Sequence, residues 1–350
     1  MARYSIAVEP DVELLVGLVR IPSLSTREDE AVGYLVSQMR ARGFEARIDE
    51  AGNAFGEIGT GRVRIALVGH IDTVAGDIAV SIDRGELVGR GAVDAKGALA
   101  SFVAAATAPP SGARITVVGA VQEEHPSSKG ARALARTAPP DGCVIGEPSG
   151  WAGITVGYKG SLRLRIRIER PARHGAHDGA TVAEEGIALF AELKRRAEAR
   201  VAEPSAFARL DCRLGSIVAV PGDGLTERAD LLVAYRVPPG IATAELVSQA
   251  RELAPDLEVL SAEEPIKVSR ATPLARAFQS SIREAGGEPT FKVKTGTSDM
   301  NVLGPAWRCP IVAYGPGDSR YDHTPMERLA LADYARSIAV LRGVLARVTA

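Results

Sequence analysis

The feature that most constrains the fold of this chain is an alternation of wholly apolar, strand-like runs with helical runs. The runs "VRIALVGH" (63–70), "ARITVVGAV" (113–121) and "DGCVIGE" (141–147) are rich in β-branched and aliphatic residues and are typical of buried strands. The segments "KGALASFVAAATA" (96–108) and "KGARALART" (129–137) separate them and predict helices. Strands that are apolar throughout and separated by helices favour a mainly parallel sheet, so we expect an α/β fold.

The pattern changes between residues 158 and 266. The run "GSLRLRIRIERP" alternates apolar and basic residues with period two, which predicts a half-exposed antiparallel strand. A long amphipathic segment, "TVAEEGIALFAELKRRAEARV", follows, and then the strand-like runs "RLGSIVAV" and "RADLLVAYRVPPG". The α/β pattern returns with "PLARAFQSSIREAGG" and "CPIVAYGPG". We therefore predict a discontinuous main domain, residues 1–157 and 267–350, with an inserted α+β domain over residues 158–266.

Helices are also predicted at both ends of the chain. "DVELLVGLVRI" has helical spacing and stops before Pro22. "STREDEAVGYLVSQMRARGF" begins with residues that commonly cap helices, Ser25 and Thr26, and ends at Gly43. The last helix is expected within "ERLALADYARSIAVLRGVLARV".

The composition excludes several classes of protein. The chain has 350 residues and a formal net charge of −1, which gives no reason to expect nucleic acid or an anionic membrane as a partner. Its longest apolar run, "GALASFVAAATA", is too short to span a bilayer. The three cysteines form no C-x-x-C pair, and the first residues lack the basic-then-apolar pattern of a secretory signal. A cytoplasmic protein is expected.

Polar side chains capable of binding a metal follow the predicted strands. Because the ligand crevice of an open α/β sheet lies beyond the carboxyl ends of its strands, we expect these side chains to converge. Two histidines with several carboxylates suit a divalent metal, zinc first, with cobalt or manganese as alternatives. A set of this size exceeds the need of one open zinc site, and five ligands drawn from it would suit two ions ~3.5–4 Å apart that share a carboxylate. The residues concerned are His70, Asp72, Asp94, Glu123, Glu124, Glu147 and His323.

Each of these residues also has an ordinary structural use. A single histidine at a strand end commonly lies at the surface or makes a hydrogen bond. Asp94 precedes a predicted helix and could simply cap it. The joint spacing of the set at successive strand ends favours the metal site over these uses.

Five segments carry a resemblance to a known family. "GHIDTV", "GRGAVDAKGALA", "QEEHPSSKGA", "GEPSG" and "DHTPMERL" resemble motifs of the dinuclear-zinc aminoacylase/carboxypeptidase family. That family includes acetylornithine deacetylase, succinyl-diaminopimelate desuccinylase and glutamate carboxypeptidases. The resemblance runs through both halves of the main domain, which would then be a zinc-hydrolase catalytic domain. It implies hydrolysis of a linear amide with two Zn²⁺ per subunit, Co²⁺ being an alternative.

The resemblance also implies a ligand set. His70 and Glu147 would bind one metal, Glu124 and His323 would bind the other, and Asp94 would bridge them. The family further implies a cis peptide bond between Asp94 and Ala95.

Two more residues receive roles from the same resemblance. Asp72 would orient His70 by binding its other ring nitrogen. Glu123, which is not a ligand, would take a proton from the attacking water and deliver it to the leaving amine. At a strand end the backbone leaves the pleat, so the neighbours Glu123 and Glu124 can both face the crevice.

The inserted domain resembles the family's dimerisation or lid domain, which implies a homodimer. There, a histidine commonly reaches the partner subunit's site to stabilise the oxyanion, and His174 is the first candidate, with His177 as the alternative. Arg236 matches an arginine that binds a substrate carboxylate, although an isolated arginine more often forms a surface ion pair. Two departures from the family pattern are the absence of its usual asparagine from "VAVPGDGLTERAD" and Ala234, where the family commonly has an aspartate.

The finer resemblance concerns the substrate. "KVKTGTSDMNVLG" and "YGPGDSRYDHTPMERL" are most similar to the subgroup that acts on carrier proteins in lysine and arginine biosynthesis. Those enzymes release lysine, and sometimes ornithine, from the C-terminal glutamate of a small acidic amino-group carrier protein. Thr297, Ser298 and Asp299 would hold the amino-acid end and Lys294 would meet a carboxylate, the alternative being ordinary turn chemistry.

Three other functions stay open at this point. A deacylase of a free acylated amino acid, such as acetylornithine, acetyl-lysine or succinyl-diaminopimelate, is the main alternative. A carboxypeptidase is a second alternative. A binding protein that kept the fold without the metal is a third, against which the complete ligand set and Glu123 argue. The sequence does not separate lysine from ornithine, nor does it identify the resting metal.

Overall fold

The computed structural model describes residues 10–174, 178–200, 205–221 and 224–350. The backbone divides into two compact units. The first contains the chain up to Val156 together with Val268–Lys292 and Ser298–Ala350. The second contains Gly157–Lys267 and the short segment Val293–Thr297, which the sequence did not lead us to expect there.

Helices within the described residues have the following bounds: α1 (Pro10–Arg20), α2 (Asp29–Ala41), α3 (Lys96–Ala106), α4 (Lys129–Leu134), α5 (Val182–Glu198), α6 (Thr243–Arg251), α7 (Pro273–Glu284), α8 (Asp299–Trp307) and α9 (Leu331–Val348). None of the helices in these described ranges is both long and apolar enough to cross a membrane.

Strands in the described residues have these bounds: β1 (Glu45–Ile48), β2 (Ala54–Ile58), β3 (Val63–His70), β4 (Ser81–Asp83), β5 (Glu86–Val88), β6 (Ala113–Ala120), β7 (Gly142–Gly146), β8 (Gly153–Tyr158), β9 (Gly160–Pro171), β10 (Asp211–Pro221), β11 (Thr226–Val237), β12 (Glu258–Glu263), β13 (Ile266–Lys267), β14 (Thr290–Lys294), β15 (Ile311–Tyr314) and β16 (Arg328–Ala330).

The sheet of the first unit is mainly parallel, as the sequence predicts. Its strands follow the order β1-β2-β6-β3-β7-β15-β8. The four central strands, β6, β3, β7 and β15, are mutually parallel, whereas β2 and β8 run antiparallel to them and β1 pairs antiparallel with β2. The parallel register places His70 level with Ala120, and Gly69 level with Gly146. The carboxyl ends of β6, β3 and β7 therefore meet at one edge.

Burial explains why these strands lack polar alternation. All five residues of β7 and the last six of β3 are buried, because helices pack on the sheet. Helix α3 is itself buried along its whole length, which accounts for its apolar sequence on every side. Phe278 of α7 packs against Tyr314 of β15 with ring centroids 4.7 Å apart.

The predicted caps of α2 are wrong. The helix begins at Asp29, and Glu28 precedes it without any side-chain capping bond. The hydroxyl of Ser25 instead donates a hydrogen bond to the carboxylate of Asp72 at 2.6 Å. Asp72, which is distant in sequence, therefore binds the Ser25 hydroxyl that the local sequence predicts as a helix cap.

The last helix also begins later than its sequence pattern suggests. Residues Arg328–Ala330 form β16, which pairs with β5 in a small three-stranded sheet, and α9 begins at Leu331. Glu327, just before β16, is 1 % exposed and binds backbone amides of the Asp94 loop. The tertiary role of this glutamate accounts for the delayed helix.

The second unit contains an antiparallel sheet of four strands in the order β10-β11-β9-β12. The predicted period of two in β9 is confirmed, since Leu162, Leu164 and Ile166 are buried while the arginines between them are exposed. Helices α5 and α6 pack on the buried face, where Leu193 and Leu246 join the core. Helix α5 begins with a capping box between Thr181 and Glu184.

Candidate metal centre

His70 ends β3 with its ring buried, the residue being 2 % exposed. Its Nδ1 lies 2.9 Å from the backbone carbonyl oxygen of Asp72, and its Nε2 lies 3.2 Å from Oδ1 of Asp94. Because a carbonyl oxygen can only accept, Nδ1 carries a proton and the ring presents Nε2 to the centre. Burial lowers the pKa of His70, but Asp72 and Asp94 raise it more, to well above the ordinary value.

Asp94 lies in the loop before α3, and the peptide bond from Asp94 to Ala95 is cis, as the resemblance implies. The amide N–H groups of Val93 and Asp94 donate to Oε1 of Glu327 at 3.0 and 3.1 Å. The other oxygen of Glu327 accepts from the Arg90 guanidinium at 2.9 Å. Glu327 thereby holds the backbone from which the Asp94 side chain projects.

His323 approaches Asp94 from the other side. Its Nε2 lies 3.0 Å from Oδ2 of Asp94 and 2.7 Å from Oε1 of Glu124. These two carboxylates raise the pKa of His323 to about 10. Burial alone would raise the pKa of Asp94, but hydrogen bonds from His323 and His70 outweigh it and lower that pKa. One carboxylate oxygen of Asp94 thus contacts His70, and the other contacts His323.

Two groups of metal-binding side chains share Asp94. In each group the donor atoms lie within 4.8 Å of one another, and the groups are His70–Asp94–Glu147 and Asp94–Glu124–His323. Imidazole nitrogens with carboxylate oxygens are a donor set that suits zinc and related divalent ions. The five predicted ligands therefore lie together and fit a divalent metal, while the role of each stays a prediction.

The adjacent glutamates lie in a turn that follows β6. The strand ends at Ala120, and Gln122 has a positive φ of 61°, so the backbone leaves the pleat before the pair. The amide N–H groups of Glu123 and Glu124 donate to the Asp72 carboxylate at 3.0 and 3.1 Å. One carboxylate oxygen from each glutamate and one ring nitrogen of His70 lie within 4.8 Å of one another. Departure from the strand lets neighbours in sequence face the same centre.

Glu123 differs electrostatically from its neighbour. Burial raises the pKa of Glu123 well above its ordinary value, and His70 opposes this shift. The nearby carboxylates of Glu147, Asp299 and Glu124 raise the pKa further. A carboxylate with a raised pKa holds a proton more readily than an ordinary glutamate does, which suits a group that must accept a proton and release it again.

Sequence reasoning missed three residues that support this centre: Ser25, Glu28 and Glu327. Glu28 accepts hydrogen bonds from the amides of Thr26 and Gln122 at 2.9 and 3.1 Å, so it supports the turn that carries the glutamate pair. Glu327 lies within the quoted motif "DHTPMERL", four residues after His323, and could have been noticed there. The other two lie far from any motif in sequence, and no local signal marks them.

The predicted substrate-binding residues belong to both units of the chain. Arg236, Lys294 and Thr297 lie in the second unit. Ser298 lies in the first unit at the start of α8, where it forms a capping box with Asn301. Its hydroxyl accepts from the Met300 amide at 3.2 Å, which is the ordinary structural use of such a residue. Substrate binding by these four residues stays a prediction.

The two candidate oxyanion histidines lie in the inserted region. His174 is exposed and belongs to the second unit. His177 lies outside the described residues. The role of His174 stays a prediction.

Solved structures of metallopeptidases share this fold. The aminopeptidase PepT of Bacillus cereus superposes with a TM-score of 0.79 over 97 % of this chain and 98 % of its own, at 19 % identity. An M20-family metallo-carboxypeptidase of Sulfolobus solfataricus superposes with a TM-score of 0.75 over 97 % of this chain and 99 % of its own, at 16 % identity.

Two relatives match nearly the whole chain in sequence. The LysW-lysine hydrolase of Deinococcus radiodurans is 46 % identical over 349 residues, covering 96 % of each chain. A Thermococcus kodakarensis protein, provisionally named a LysW-lysine/LysW-ornithine hydrolase, is 41 % identical over 97 % of this chain and 92 % of its own. The profile of peptidase family M20/M25/M40 matches residues 66–347. The chain belongs to peptidase family M20/M25/M40, a conclusion that its mainly parallel sheet and its histidine–carboxylate centre independently favour.

Proposed function

We propose that this protein is a metal-dependent amidohydrolase that releases lysine from the C-terminal glutamate of a LysW-type amino-group carrier protein. The observation that carries the proposal is the 46 % identity, over 96 % of each chain, with a LysW-lysine hydrolase. The set of donor groups around Asp94 supports it, because a divalent metal can activate a water and polarise an amide carbonyl. Ornithine is proposed as a second product, since a 41 % identical relative carries both names.

The proposed ligands form two sets joined by Asp94. His70 and Glu147 would bind one ion, Glu124 and His323 would bind the other, and Asp94 would bridge them, with zinc as the expected metal. When bound, such a pair supplies an activated water and polarises the amide carbonyl. The backbone carbonyl of Asp72 keeps His70 in the tautomer that presents Nε2, and Glu327 keeps the Asp94 loop in place.

Glu123 is proposed to move the proton. Its carboxylate removes a proton from the attacking water and delivers it to the leaving amine, so the products are a carboxylic acid and free lysine. The raised pKa of Glu123 favours the protonated form that the second half of this transfer needs. The Asp72 carboxylate accepts a hydrogen bond from the Glu123 amide, which holds the backbone of the turn that carries Glu123.

Elemental analysis tests the metal proposal. Protein purified without chelator and reloaded with zinc is expected to bind two ions per chain, because two donor groups share only Asp94. Replacement of Asp94 by Asn should weaken both ions, whereas replacement of Glu147 by Gln should weaken one. Saturation of the unmodified protein at a single ion would contradict the dinuclear site, and no binding would favour a non-enzymatic relative.

Substitution of the two adjacent glutamates should separate their roles. Glu123→Gln is expected to retain metal and fold but to lose about 10²–10⁴-fold in kcat, because an amide cannot accept the proton. Glu124→Gln should instead lower the metal content, since it removes a charged donor from the His323 group. Turnover, bound metal and thermal melting would be measured for both.

The matched control is Glu288→Gln, which makes the same chemical change at an exposed glutamate of the first unit. It should leave turnover and metal content within error. Near-normal activity of Glu123→Gln would remove this residue from the mechanism.

A substrate panel distinguishes the proposed reaction from its main alternative. Amine release would be measured with carrier-linked lysine, carrier-linked ornithine, acetyl-lysine and acetylornithine. We expect the carrier conjugates to have the higher kcat/KM, because a protein substrate adds docking contacts that small acyl amino acids lack. Equal efficiency on acetyl-lysine or acetylornithine would replace the carrier assignment with a deacylase of free acylated amino acids.

We further propose a homodimer formed through the inserted unit, with His174 acting in the partner subunit's site. The support is a separate α+β unit that carries an exposed histidine in a glycine-containing loop, together with the family resemblance. If so, mixing inactive His174→Ala with inactive Glu123→Gln subunits should restore part of the activity.

Size measurement and proof of subunit exchange are the controls for this mixing experiment. Exchange can be followed with differently tagged subunits. A monomer at assay concentration, or no rescue despite exchange, would contradict a site shared between subunits.

A further inference from the structure

Three arginines lie together on the face of the second unit's sheet opposite its helices. In the strand register, Ala234 of β11 pairs with Arg163 of β9 on one side and with Arg213 of β10 on the other. Directly paired residues point to the same face of a sheet, so the two arginines flank Ala234. Arg236 follows two positions along β11 and therefore points the same way. All three arginines are exposed, and we call them the arginine face.

Two neighbouring arginines of β9, in contrast, are paired with carboxylates. Arg165 lies 2.6 Å from Glu258, and Arg167 lies 2.9 Å from Asp230. In the described parts of the chain, by contrast, no carboxylate lies within ion-pair distance of a member of the arginine face. Asp211 pairs with Arg236 in the strand register, but its carboxylate binds Lys159 and Arg209 instead. The small side chain of Ala234 leaves the position between Arg163 and Arg213 without charge.

Uncompensated like charges at this spacing are unfavourable. Adjacent strands are about 4.8 Å apart, so Arg163 and Arg213 stand about 10 Å apart across Ala234. Arg236 is exposed in part only: the partial burial of its guanidinium first, and then repulsion by Arg213 and Arg163, lower its pKa. Binding of an anion would relieve this repulsion, and guanidinium groups bind carboxylates with paired, directional hydrogen bonds.

We propose that the arginine face binds an acidic segment of the carrier protein, with Arg163 and Arg213 extending recognition beyond the single Arg236. This inference rests on the proposed function and deepens it, because it assigns residues to the protein part of the substrate. Side chains on one side of an extended segment recur about every 6.6–7 Å. Carboxylates at that spacing can meet guanidiniums distributed over about 10 Å.

An acidic polypeptide fits this face better than a nucleic acid does. Arg165 and Arg167, which continue the same face of β9, are already paired with Glu258 and Asp230, so the uncompensated positive charge is confined to the three arginines and is too short a track for a continuous phosphodiester backbone. The whole chain has a formal net charge of −1, which provides no wider positive field for a polyanion. A short acidic segment needs only the local cluster.

The experiment compares two ways of weakening the face with a matched control. Arg163→Gln/Arg213→Gln removes two charges from it, and Ala234→Asp places a carboxylate between them. The control is Arg165→Gln/Arg167→Gln, which removes the same charge from the same sheet at arginines that already have partners. Steady-state kinetics on carrier-linked lysine would be measured from low to high NaCl, with thermal melting as a check on folding.

We expect both variants of the face to raise KM for the carrier conjugate about tenfold at low salt, with kcat changed much less. The increase of KM with NaCl should also be shallower than in the unmodified protein, because fewer charges remain to be screened. The control should stay within about twofold of the unmodified protein at each salt concentration.

Two failures can be told apart. If the unmodified protein hydrolyses the conjugate but both variants of the face keep its KM and salt dependence, the arginine face is overturned and the proposed function stands. If the unmodified protein does not hydrolyse the conjugate, both proposals fall. A single-stranded RNA oligonucleotide that binds the unmodified protein more tightly than the carrier does, and loses binding in the double variant, would assign the face to nucleic acid instead.

Discussion

The candidate centre depends on one carboxylate that lies between two imidazoles. Oδ1 of Asp94 faces His70 and Oδ2 faces His323, at 3.2 and 3.0 Å. The two donor groups overlap only because both include Asp94, so a shift of its loop would separate them. Glu327 prevents such a shift by binding the amides of Val93 and Asp94.

Buried carboxylates with structural duties surround this centre. Asp72 and Glu327 are almost fully buried, yet each accepts hydrogen bonds from backbone amides of a loop that carries a proposed ligand. Burying a carboxylate is costly unless such bonds compensate it. The compensation makes the loops rigid: the turn of Glu123 and Glu124 is held by Asp72, and the Asp94 loop is held by Glu327. Rigid ligands and a rigid base favour metal binding and proton transfer in a defined geometry.

Much of the fold was predictable from local pattern. The buried strands β3, β6 and β7 and the antiparallel strand β9 occur where apolar runs and period-two alternation predict them. The predictions failed where a distant residue competes for a side chain: Ser25 binds Asp72 instead of capping α2, and Glu327 binds the Asp94 loop instead of starting the last helix. The short strands β1 and β2 were missed because their sequences are brief and include glycine and charged residues.

The sequence by itself determined the chemical character of the centre, because the motifs at the predicted strand ends carry the histidines and carboxylates that suit a divalent metal. Only the tertiary structure decided which groups meet. In the folded protein Asp94 contacts both His70 and His323. Glu28 and Glu327 bind the backbone of the loops that carry proposed ligands. Arg163 and Arg213 flank Ala234 without a carboxylate partner among the described residues. The physical reason is that hydrogen bonds and ion pairs between residues far apart in the chain depend on register and packing, which local sequence patterns do not encode.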